Sequence, residues 1–168
     1  MRISHRLLVF AIAVFAAAPA AAAAVTQSAA GQVAILSPLS VLKNADLNFG
    51  DLIVAGAGTA VMDPVAGSLT TTGGVTKAGT AAHAAQFTGT GSKNSIVHIR
   101  IPTTPITVTR VGGTQTMTVS NWTLDQAANL KVPPNSIFNF AVGATLNVGA
   151  GQAVGTYTGT FQVTVQYP

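Results

Sequence analysis

Residues 138–148 read Phe-Asn-Phe-Ala-Val-Gly-Ala-Thr-Leu-Asn-Val. Phe138, Phe140, Val142, Ala144, Leu146 and Val148 take every second position, with Asn139, Ala141, Gly143, Thr145 and Asn147 between them. Side chains of a strand point alternately to its two faces. This alternation therefore predicts a strand with one face on a core and the other largely wet. Residues 156–167 repeat the pattern. Tyr157, Gly159, Phe161, Val163, Val165 and Tyr167 form one face, and Thr156, Thr158, Thr160, Gln162, Thr164 and Gln166 the other. The loop Gly149-Ala150-Gly151-Gln152-Ala153 is too short for a helical crossover. The two segments read as an antiparallel pair or as neighbouring strands of a sandwich.

Further from this pair the alternation weakens but persists. Val97, Ile99 and Ile101 alternate with His98 and Arg100 until Pro102, and Ile106 and Val108 alternate with Thr107 and Thr109. Gly112-Gly113 then marks a turn into Thr114–Val119. Leu47, Phe49, Leu52 and Val54 change phase at Gly50-Asp51, as at a bulge or corner. Residues 67–85, rich in Gly, Thr and Ala, read as short strands and loops, and Asp125–Leu130 as one turn of helix before Pro133-Pro134. Seven or more short strands with frequent turns predict an all-β sandwich or barrel of one domain.

Composition agrees with an exported β-protein. Of 168 residues only 8 are Lys or Arg and 4 Asp or Glu, and Cys is absent. Charged residues at 7%, against about 25% in typical domains, argue against a helical cytosolic protein. High hydrophobicity argues against disorder. Arg2 and Arg6, the apolar run Leu7–Phe15 and the alanine-rich stretch to Ala24 form the three parts of a secretory signal peptide. The expected organisation is a signal peptide at 1–24, an N-terminal extension at 25–32 and a β-sandwich domain at 33–168. Signal removal leaves six basic residues against four acidic ones, a net charge of +2. The basic residues are scattered, so no nucleic-acid footprint is expected, nor a membrane span after signal removal.

Residues able to do chemistry are sparse. His83, His98 and four aspartates remain after the signal, with no glutamate. His98 and Asp125 could be nominated for a hydrolytic triad, but no G-x-S-x-G elbow marks a nucleophile, and His98 reads as a strand residue on an outer face. Too few ligands stand close enough for zinc. Gly89-Thr90-Gly91-Ser92-Lys93 lacks the Gly-Lys step of a phosphate loop and reads as a hairpin turn. Asn121-Trp122-Thr123 matches a glycosylation sequon, with Trp122 read as a core or sheet-edge aromatic. The expectation is no enzyme, no cofactor and no metal.

Gly155 stands fourteen residues from the end and Tyr167 second from the end, bracketing the alternating run. This resembles the C-terminal strand of chaperone–usher pilins. Leu47-Asn48-Phe49-Gly50, Phe140-x-Val-Gly-x-x-Leu-x-Val and the terminal run also resemble a secreted bacterial domain-of-unknown-function family related to pilins and spore-coat-U-type proteins. The resemblance spans about residue 33 to the end. It implies an immunoglobulin-like antiparallel β-sandwich, incomplete and completed by a donor strand.

The resemblance further implies a structural subunit of a surface fibre that supports adhesion or biofilm. Its partners would be copies of itself, a periplasmic chaperone and an outer-membrane usher, reached by export through the periplasm to a cell-surface fibre or into the medium. Gly155, Tyr157, Gly159, Phe161, Val163, Val165 and Tyr167 are the expected contacts with chaperone or neighbouring subunit. Tyr167 marks the chaperone-gripped end. Val25, Ala29, Gly31, Val33 and Ile35 fall on alternate positions, with polar Gln27 interrupting, and form the candidate donor strand; the alternative is that Val33 and Ile35 begin the domain's first strand. A non-polymerising coat-like domain and a carbohydrate- or host-binding module are the alternatives.

Overall fold

The computed structural model describes residues 26–168. The expected signal peptide and Val25 lie outside the described residues. Residues 26–34 belong to a first unit and carry no strand, and all are exposed. Residues 35–168 form a second, compact unit built from strands. In chain order these are β1 (Ser40–Ala45), β2 (Asp51–Asp63), β3 (Ser68–Ala78), β4 (Ala85–Thr90), β5 (Ile96–Arg100) and β6 (Ile106–Arg110). There follow β7 (Thr116–Leu124), β8 (Asn129–Lys131), β9 (Ile137–Val148), β10 (Tyr157–Thr158) and β11 (Thr164–Gln166). No helix occurs among the described residues.

Every pairing is antiparallel, and the strands make two sheets. The large sheet runs β1-β4-β9-β7-β6-β10, with β2 joined to β9 and to β3, and it curls into a half-barrel. The small sheet runs β11-β5-β8. The fold is an all-β antiparallel sandwich, as the alternation predicts.

Strand β9 organises both layers. Its residues 142–147 pair with β7, while β4 (at 137–142) and β2 (at 145–148) share the opposite edge in succession. Phe138, Phe140 and Val142 join Phe87 of β4 and Val97 and Ile99 of β5 in a core between the sheets, where the Phe87 and Phe140 rings stack 5.0 Å apart. Ala144, Leu146 and Val148 join Ala60 and Met62 of β2 and Leu69 and Val75 of β3 in a second core, enclosed by the curl of the large sheet. The other face of β9 is drier than alternation implies: Gly143 and Thr145 are buried by the strands on either side.

Three further expectations are corrected. Residues 67–85 hold an eleven-residue strand, β3, rather than several short ones. Its alternation is interrupted at Gly73-Gly74, where β2 inserts Ala55-Gly56-Ala57 opposite Gly74. The chains approach so closely there that a Cβ on Gly74 would lie 2.4 Å from the Gly56 nitrogen, and Gly73 has φ 66°. Residues 89–93 are not a hairpin turn: Gly89 and Thr90 end β4, and the residues after them carry the chain from β4 in the large sheet to β5 in the small one. Residues 125–130 make no helical turn, and Asn129 and Leu130 pair with β5 as part of β8. The phase change at Gly50 is a corner, with φ 68°, after which β2 begins at Asp51.

Candidate functional site

Residues 155–167 do not form one continuous strand. Tyr157 and Thr158 pair with Arg110 and Thr109 of β6, at the edge of the large sheet. Thr164–Gln166 pair with Arg100–His98 of β5, at the edge of the small sheet. Between them Gly159–Val163 crosses from one layer to the other outside either ladder. A chain that changes sheets must give up one set of partners before taking the next, so the break follows from the topology. Gly155 precedes β10 at φ 150° and packs against Arg110, whose Nε donates to the Val154 carbonyl at 2.8 Å.

The apolar face of this segment is covered only in part. Tyr157, Phe161, Val163, Val165 and Tyr167 are half-buried, and the alternating Thr and Gln side chains are exposed. The Phe161 ring tilts against Trp122 with centroids 4.7 Å apart, and Val163, Val165 and Tyr167 lean on the inter-sheet core. Where Phe161 crosses, a shallow recess of about 470 Å³ opens beside Ile101, Pro102 and Ile106. A second recess, of about 400 Å³, lies between Pro102, Pro105 and Trp122. Sequence reasoning did not single out Ile101, Pro102 and Ile106 here, because nothing in their alternation says which neighbour they will face.

Both tyrosines are bonded within the chain. Tyr157 donates from its hydroxyl to the Ala153 carbonyl at 2.7 Å and accepts from Gln152 Nε2 at 2.7 Å. Tyr167 donates to the Ser37 carbonyl at 2.9 Å and accepts from the Ser92 N–H at 2.7 Å. Of the candidate donor residues, Ala29, Gly31, Val33 and Ile35 are exposed and outside any strand, with Val33 at 89% and Ile35 at 93%. The first strand of the domain is β1, so neither Val33 nor Ile35 begins it.

The residues weighed for chemistry are separately engaged. His98, on β5, has its Nδ1 against Asn129 Oδ1, and His83 has its Nδ1 3.2 Å from the Ala84 carbonyl. Asp125 Oδ1 accepts from the Ala141 N–H at 2.7 Å and so serves the backbone of β9. Among the described residues no group of three His, Cys, Asp or Glu could hold a metal ion. Trp122 is half-buried against both cores, and its indole donates to the Thr104 carbonyl.

Residues 39–167 match the domain of unknown function DUF4402. The chain belongs to the DUF4402 family. The match takes in every strand from β1 to β11 and begins one residue before β1. No curated protein and no solved structure matches the chain. The candidate site of this DUF4402 domain is thus the double edge formed by residues 157–167.

Proposed function

We propose that this DUF4402 chain is the structural subunit of a surface fibre assembled by donor-strand complementation, as its resemblance to pilins implies. One observation carries the reading. A long alternating segment lies at the edge of both sheets, and its apolar face is only half-covered. An edge strand with unpaired backbone groups is a template for another strand, and half-covered apolar side chains supply pockets for that strand's alternate residues. Residues 25–36 of a second copy are the natural occupant: the segment is uncharged, and Val33 and Ile35 are almost fully exposed. On this reading residues 1–24 direct export, a periplasmic chaperone shields the edge, an outer-membrane usher delivers the subunit, and the fibre serves adhesion or biofilm.

The test is a denaturing gel of material sheared from the native cell surface, run with and without boiling. A ladder of multimers that collapses to one band on boiling is expected of strand-exchanged polymers. A single monomer band in both lanes would instead identify a self-sufficient, coat-like domain.

A further inference from the structure

Three hydrogen bonds close a small ring between the two ends of the domain. The Ser37 N–H donates to Ser92 Oγ, the Tyr167 hydroxyl donates to the Ser37 carbonyl, and the Ser92 N–H donates to the Tyr167 hydroxyl. Beside this ring Leu39 and Tyr167 crowd Gly91, where a Cβ would stand 3.0 Å from Leu39 Cδ1 and from the Tyr167 hydroxyl oxygen. The loop that carries Ser92 is itself fixed. The Gly91 N–H donates to the Ser136 carbonyl at 3.0 Å, and the Asn94 N–H to the Val132 carbonyl at 2.9 Å. Ser37 is followed by Pro38, which holds the residue before it in an extended conformation. Up to Pro38 every described residue is exposed, and Leu39 is the first that reaches the core.

We infer that Tyr167 is a positioning residue for strand exchange, fixing Ser37 as the boundary between the anchored domain and the segment that leaves it. The inference rests on the fibre reading above and gives the C-terminal tyrosine a task inside its own subunit. The segment so delimited runs from Val25, the first residue after the expected signal peptide, to Leu36, and its twelve residues compare with eleven in the edge from 157 to 167. At ~3.3 Å per residue the extended segment spans about 40 Å, and the edge, which is not one continuous strand, at most about 36 Å. A tether held at Ser37 therefore has the reach to cover the whole edge of a neighbouring copy.

The test is Tyr167→Phe in the full chain, which keeps the ring and removes both bonds of the hydroxyl. Amide hydrogen exchange across 35–40 should quicken by about tenfold, as expected for loss of an ordinary hydrogen bond, while exchange in β9 stays unchanged. The boiling-sensitive ladder should shorten. Ser92→Ala, which removes only the oxygen that accepts from Ser37, should move the same segment in the same direction by less. Unchanged exchange at 35–40 in both variants overturns the inference. So does quickened exchange with an unaltered ladder, because the ring would then hold Ser37 without bearing on assembly. Absence of a ladder from the unaltered protein overturns the fibre reading itself, a result obtained before any variant is made.

Discussion

Strand β9 has neighbours on both edges, β7 on one side and β4 followed by β2 on the other. Strands β10 and β11 each have a single partner. The two regions share the same alternation, with aromatic residues, two valines and one small residue on the apolar face of each. Yet all six apolar-face residues of β9 are 5% exposed or less, while Tyr157, Phe161, Val163, Val165 and Tyr167 of the terminal segment are only half-covered. Burial here follows position in the sheet more than side-chain type: a central strand is covered by what flanks it, and an edge strand waits for a neighbour.

Substitutions that press on this contrast fall in order of size. Phe140→Ala empties a site in the inter-sheet core where the ring is 2% exposed and stacks on Phe87. It should cost about 3–5 kcal/mol, read as a fall in the urea midpoint. Gly143→Ala adds a Cβ that would meet the Met62 carbonyl oxygen at 2.2 Å and Pro64 Cδ at 2.6 Å, and backbone oxygen cannot swing aside. That overpacking should cost roughly 1–3 kcal/mol, seen as a lowered melting temperature. Phe161→Ala removes a ring already half in water, so about 1–2 kcal/mol is expected by partial burial, measured in the same urea titration. A loss at Phe161 as large as that at Phe140 would erase the contrast between the two regions.

Much of the fold was legible from alternation alone, and the exceptions have physical causes. The core face of β9 was plain because apolar and small or polar residues alternate there without interruption. The length of β3 was hidden because Thr70, Thr71 and Thr72 serve both faces and the Gly73-Gly74 step shifts the phase. The terminal segment keeps its alternation through Gly159–Val163 while changing sheets, since side-chain period reports which way a residue faces and nothing about its hydrogen-bond partner. For the same reason the passage from β4 to β5 read as a hairpin. At the candidate site, the apolar residues from Tyr157 to Tyr167 were found by period. Ser37 and Ser92 were not, because two loop serines 55 positions apart leave no mark in a periodic pattern.

The shared strand also bears on how the domain comes apart. β9 supplies Phe138, Phe140 and Val142 to one core and Ala144, Leu146 and Val148 to the other. Neither core can melt while the other holds β9 in place without breaking the same strand in the middle. The two cores are therefore coupled into one cooperative unit and lose their structure together in a single transition.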